Sequence, residues 1–283
     1  MTDELAADIL EVLDSRTPAV LVTVVSSSSE FAGYPVGLKT VIHAGGRADP
    51  DLPAGPLAGS IRATARQALS AGHVRLEQFA ADGTSIDRRA PARRTAGFLH
   101  VYFEPLAPVD RLIIVGAGHI AIPICQIASI LGFEVTVLDD RSDYASAERF
   151  PEAVEVIAAD FAPALAGLTI DASTYIILVT RAHAFDEQAL QQIAASDARY
   201  IGMIGSRRRV LIVHQNLIAA GVSPDALHKV YAPLGIDLGA ESVEEIALAA
   251  VAEVVNVKRG GRAQSLRIDA WGDSIPAVAE PAD

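Results

Sequence analysis

The apolar positions of this chain change rhythm near residue 104, and ahead of that point they come in short bursts. Leu5, Ile9, Leu10, Val12 and Leu13 keep the spacing of an amphipathic surface helix. Residues 19–25 and 38–43 read as strands on either side of a polar SSSSE loop, the second running into an Ala-Gly-Gly turn. A helix is predicted over 60–71, then strands over 73–79 and 98–103, with Asp82-Gly83 as a turn signal between them. These elements predict a small α+β domain over 1–104. Glu104-Pro105-Leu106-Ala107-Pro108 opens the expected linker, placed at 105–109, because its two prolines suppress both helix and ladder pairing.

Beyond the linker, apolar runs at 111–115, 134–138, 154–157, 174–179 and 199–203 alternate with helical stretches, as a parallel sheet requires. The pattern predicts a Rossmann-like, doubly wound α/β domain over 110–259. Its last helix opens at a capping box, Ser242-x-x-Glu245, and carries an apolar stripe of Val243, Ile246, Ala247, Ala250, Val251 and Val254. Glycines, prolines and scattered acids mark 260–283 as a tail.

Within the second domain, RLIIVGAGHIAIPICQIASILGFEVTVLDDR carries the most information. A buried strand ends in Gly116-Ala117-Gly118-His119-Ile120-Ala121, which has the form G-x-G-x-x-A; a helix follows, then a second strand ending in acid. Gly116 permits the tight turn, Gly118 lets the backbone approach a pyrophosphate, and Ala121 allows close packing of helix on strand. Asp139, 21 positions after Gly118, stands where a carboxylate can accept hydrogen bonds from ribose hydroxyls. Asp140 and Arg141 extend that strand end. An arginine there could accommodate a 2′-phosphate, but Asp139 would repel it, so the sequence favours NAD or another adenosine-containing ligand over NADP.

Two further segments end strands on the side where open parallel sheets bind ligands. In Thr180-Arg181-Ala182-His183-Ala184-Phe185-Asp186, Arg181 could hold a phosphate or carboxylate, and His183 could act as acid, base or ligand contact or face solvent. Asp186 is expected to cap the helix EQALQQIA. In Gly205-Ser206-Arg207-Arg208-Arg209 a helix opens with three cations that oppose its macrodipole; Ser206 is the expected cap. The cations mark either an anion site, with Gly205, Ser206 and Arg207 as contacts, or a solvated basic face. Successive helical residues point about 100° apart, so at most one or two of the three face a common ligand.

Composition narrows the reading. A net charge of −12 argues against a nucleic-acid partner, and an acidic ligand would need a local basic pocket. The N-terminal segment has acids in place of a basic n-region, and no apolar run approaches the length of a membrane span, so a cytoplasmic location is expected. The single cysteine, Cys125, excludes an internal disulfide and any multi-cysteine metal site; it reads as a small buried hydrophobe. No metal site is expected. No Ser-His-Asp order, H-E-x-x-H or G-K-S/T phosphate loop is visible.

Taken together, VGAGHIA, TVLDDR followed by RFPEA, VTRAHAFDEQAL, and YIGMIGSRRR with APLGIDLGAESVEEIALAAVAEVV resemble the xanthine dehydrogenase accessory proteins of the XdhC/CoxI type. The resemblance implies an N-terminal XdhC/CoxI domain beside the Rossmann domain. It also implies a maturation factor that binds molybdopterin-type cofactor and delivers it to a molybdenum hydroxylase client. In the first domain Pro35, Gly37 and Lys39 follow the family's order, but Leu57-Ala58-Gly59-Ser60-Ile61-Arg62 stands where the family shows glycines and a cysteine. A thiolate hold on molybdenum is therefore lacking at that position. The rival reading is an NAD(P)-dependent oxidoreductase in which His183 handles the proton; a scaffolding protein with a vestigial pocket is a third. A homodimer is the expectation from base rates.

Overall fold

A computed structural model describes residues 3–44, 52–86, 97–106 and 108–265. Most of the Ala-Gly-Gly turn, Ala107 of the expected linker and residues 266–283 of the tail lie outside the described residues. The chain divides into two compact units, Met1–Val109 and Asp110–Asp283.

The first unit runs α1 (Asp3–Ser15), β1 (Ala19–Ser27), β2 (Lys39–His43), α2 (Pro56–Ala71), β3 (Arg75–Phe79), β4 (Ser85–Ile86) and β5 (Leu99–Leu106). Its five strands form an antiparallel sheet in the order β2-β1-β5-β3-β4. Alternation along the strands sorts side chains to two faces: Val20, Val22, Val24, Leu99, Val101 and Phe103 pack with α2, while Ala19 and Val41 pack with Val12 of α1. Helix α2 begins four residues ahead of its predicted start, because Pro56 at its first position costs no hydrogen bond. The segment that stands in place of the family's cysteine is thus helical, with Leu57 and Ala58 buried and Gly59 exposed.

The expected linker is corrected. Glu104, Pro105 and Leu106 are the end of β5, paired with Leu21, Val20 and Ala19 of β1. Beyond Phe103 the β3 neighbour has ended, so Pro105 has an open side on which no N–H donor is needed.

In the second unit β6 (Arg111–Val115), α3 (Ala121–Ile130), β7 (Glu134–Asp139) and β8 (Glu155–Ala158) are followed by α4 (Phe161–Gly167), β9 (Thr174–Leu178), α5 (His183–Ile193), β10 (Tyr200–Met203), α6 (Arg207–Ala219), α7 (Pro224–Leu227), β11 (Val230–Tyr231) and α8 (Val243–Arg259). All pairings in the six-stranded sheet are parallel, in the order β11-β10-β9-β6-β7-β8. This is the doubly wound Rossmann arrangement, with the chain reversing direction across the sheet between β6 and β9. Leu112, Ile114, Val135, Val137 and Ile177 pack one face against α3 and α8; Ile113, Val115, Ile176 and Leu178 pack the other against α4, α5 and α6. The capping box forms at α8 as expected: Ser242 Oγ accepts from Glu245 N, and Glu245 accepts from Ser242 N. Cys125 is fully buried. No helix among the described residues is long and apolar enough to cross a membrane.

Two features differ from the sequence pattern. No helix joins β7 to β8; turns carry Phe150 into the core, and Arg149 donates to the carbonyls of Ala117 and Tyr144 instead. The two-residue β11 was too short to register as an apolar run.

Candidate functional site

The reversal point between β6 and β9 opens into a cavity of about 320 Å³, lined by Gly118, His119, Asp139, Arg141, Thr180, Arg181, Gly205 and Arg209 among others. That volume is at the lower end of what small-molecule sites span. Its floor is the glycine turn. Gly116 has φ +104°, and a Cβ there would meet the carbonyl oxygen of Val179 at 2.7 Å, so only glycine fits the junction. A Cβ at Gly118 would meet nothing within 4 Å, which leaves the surface above it open.

Peptide groups in the turn divide into two kinds. Ala117 is sealed in place: its N–H donates to Asp139 Oδ2 at 2.7 Å and its carbonyl accepts from Arg149 at 3.0 Å. The N–H groups of Gly118, His119 and Ile120 precede α3 and have no backbone acceptor among the described residues. Unpaired donors at a helix start, over open space, form an anion-binding geometry. His119 itself is exposed on the rim.

At the end of β7, Asp139 is buried and its carboxylate is shared by four donors. Oδ1 accepts from Arg141 N at 3.1 Å and Nε at 2.9 Å; Oδ2 accepts from Ala117 N and from Arg141 Nη2 at 3.0 Å. Asp140 forms a two-pronged pair with Arg181, at 2.5 and 2.7 Å. Arg181 holds the Asp140 carboxyl down to about 2, well below the usual carboxylate range. Aromatic rings back both guanidiniums: Arg141 lies 3.5 Å from the Tyr144 ring centroid and Arg181 4.1 Å from that of Phe185.

On the opposite rim the expected cap is corrected. Helix α5 starts at His183, so Asp186 lies within its first turns and is fully buried. Its carboxylate accepts from Thr180 Oγ1 at 2.5 Å and from Arg209 Nη2; the Ala182 carbonyl, 3.0 Å from Thr180 Oγ1, can only share that one hydroxyl proton. These bonds hold the strand end, and the helix begins four residues ahead of its expected start. Burial pushes the Asp186 carboxyl up, against the opposing effects of Thr180 and Arg209. His183 is exposed at the helix start and does not line the cavity.

Ser206 caps α6 as expected, accepting from Arg209 N at 3.3 Å. Helical phase sorts the three arginines: Arg207 and Arg208 face solvent, whereas Arg209 turns into the cavity toward Asp186. Of the sequence-derived residues, the fold brings Gly118, His119, Ile120, Asp139, Arg141, Thr180, Arg181 and Gly205 to the cavity wall. Gly116, Ala117 and Asp140 support that wall from behind or beside it. Arg207, Ser206 and His183 lie off it. Arg209, Val179 and Ile204 line it and were not singled out from sequence; the phase of α6 relative to Ser206 was the one signal for Arg209.

The wall is also the local basic site that an acidic chain needs for an anionic ligand. Arg141, Arg181 and Arg209 line the cavity together with Asp139, while Asp140 and Asp186 pair with the arginines from beside it.

A family model described as the XdhC Rossmann domain matches residues 112–254, just over half of the chain. Among curated proteins, the chain is 29% identical over 187 residues to an uncharacterized protein, YqeB, of Escherichia coli strain K12; the match covers 66% of this chain and 33% of that protein. It is 28% identical over 176 residues to a Bacillus subtilis strain 168 protein described as a probable subunit of xanthine dehydrogenase, covering 59% of this chain and 51% of that one. The chain thus spans about a third of one relative and half of the other. A crystal structure described as a xanthine dehydrogenase from Bacillus halodurans has a similar fold, with a TM-score of 0.50 and 19% identity over 90% of this chain and 97% of that one.

Proposed function

The chain belongs to the XdhC Rossmann-domain family, and from that membership we propose that it is an accessory protein of a xanthine dehydrogenase-type molybdenum hydroxylase. In this reading it binds a phosphate-bearing nucleotide cofactor in the crevice between β6 and β9 and passes it to the client enzyme. The observation that carries the reading is the row of N–H groups from Gly118 to Ile120, which have no backbone acceptor among the described residues, with open space at Gly118 and Arg141, Arg181 and Arg209 on the same cavity wall. A molybdopterin-type cofactor carries phosphate and often a nucleotide, and these donors suit such a group. The cofactor would supply the redox chemistry in the client; the residues here hold and orient it.

An oxidoreductase would need a proton-handling side chain against the ligand. His183, the residue the sequence offers for that role, lies off the cavity wall, and His119 stands exposed at its rim. Binding and delivery therefore fit the site better than turnover.

The test is thermal stabilisation of the full chain by molybdopterin nucleotides, NAD and NADP, since a ligand that prefers the folded state raises the melting temperature. Stabilisation by a nucleotide without hydride turnover is the expected result. Turnover of NAD or NADP with a small-molecule substrate would replace delivery by catalysis.

A further inference from the structure

We propose that the sugar end of the crevice selects a ribose carrying a 2′-phosphate over a ribose with a free diol, with Arg141 and Arg181 as the specificity-determining residues. Among dinucleotides this means NADP over NAD. The inference rests on the reading that the crevice holds a nucleotide, and it reverses the preference that the bare sequence favours.

A ribose diol is held by a carboxylate with free lone pairs, because both hydroxyls donate. Asp139 has none to offer. An ionised carboxylate has about four acceptor positions, and Ala117 N together with Arg141 N, Nε and Nη2 supplies four donors at 2.7 to 3.1 Å. The side chain is buried as well, at 2% relative exposure. Asp140 is more open and keeps acceptor positions beyond the two that Arg181 fills, but it does not line the cavity. What remains toward the crevice is a set of donors. Each guanidinium has five N–H groups, and these two are only partly used by the carboxylates. Their side chains keep relative exposures of 29% for Arg141 and 39% for Arg181.

The repulsion expected from Asp139 is offset by the arginine that covers it. Both guanidiniums are also held flat, each between a carboxylate and an aromatic ring. A phosphate placed there would meet ordered, donor-only cations, and little side-chain entropy would remain to be lost on binding. Arginine next to the acid at the end of the second Rossmann strand is the position from which a 2′-phosphate is reached.

Calorimetric titration of the full chain with NADP⁺ and NAD⁺ at one fixed salt concentration tests the proposal. The expected result is NADP⁺ binding at least about tenfold tighter, the scale of one charge-assisted hydrogen bond. Arg141→Ala should weaken NADP⁺ by about the same factor while NAD⁺ holds or tightens, because the Asp139 oxygens are released to a diol. That crossing is a readout a merely structural arginine would not give. If Arg141→Ala proves poorly folded, Arg181→Ala is the second variant, and it should weaken NADP⁺ alone. Equal or tighter NAD⁺ binding by the unmodified chain overturns the phosphate preference and leaves the nucleotide site standing. So does equal weakening of both ligands in a folded variant. Binding of neither dinucleotide overturns the preference and removes the nicotinamide dinucleotides from the proposed function, in which stabilisation by molybdopterin nucleotides is then the deciding result.

Discussion

The two rims of the crevice use the same residue types to opposite ends. At the end of β9, Asp186 is fully buried against Thr180 and Arg209, and burial outweighs its partners and pushes its carboxyl up. At the end of β7, Asp140 keeps contact with solvent, and Arg181 pulls its carboxyl down to about 2. The first pair works as a clamp that fixes how β9 enters α5. The second lies where the unused N–H groups of its arginine face a ligand, and as a near-surface pair it contributes little to the fold.

The largest effect that would break this comparison comes from the clamp. Asp186→Ala leaves Arg209 without its carboxylate and should lose about 3 kcal/mol, read from the urea midpoint. An effect below about 1 kcal/mol would place Asp186 with the near-surface pairs. Next comes the glycine turn that abuts Val179. Gly116→Ala combines a positive φ with a clash on a backbone carbonyl and should cost about 2 kcal/mol. Gly118→Ala meets open space, should stay within about 0.5 kcal/mol in stability, and should still weaken nucleotide binding.

A smaller loss follows from Asp140→Asn, under about 1 kcal/mol at neutral pH. Acid titration of the urea midpoint sharpens the contrast further. Asp140 is lowered in the folded state, so its stabilisation is complete above the unfolded value of about 4. It is lost as pH falls toward about 2. Asp186 is raised, so the folded chain binds its proton more tightly, and stability declines as pH rises from about 4 through the raised value. Asp140→Asn should flatten the acid limb; Asp186→Asn should remove the opposite slope above it.

Local patterns were the legible part of the fold. The turn from β6 into α3, the end of β7, the Ser206 cap and the Ser242 capping box depend on a few adjacent residues, and each is where the sequence places it. Features set by tertiary context were not legible. Pro105 marks a linker only if its neighbours are unknown; next to β1, with β3 ended, it is strand. Asp186 resembles a cap until Thr180 and Arg209 converge on it from other elements. The site shows the same division. The glycines and the acid could be read, but the saturation of Asp139 by Arg141 and Ala117 is a three-dimensional fact that no spacing encodes.

Cys125 offers a practical handle. Its thiol is sealed inside the helix that follows the glycine turn, and burial pushes it up to about 11, so at neutral pH it stays protonated and shielded from electrophiles. His119→Cys would therefore place the chain's sole maleimide-reactive sulfur on the cavity lip. A fluorophore attached there would report ligand arrival in real time, with no background labelling to subtract.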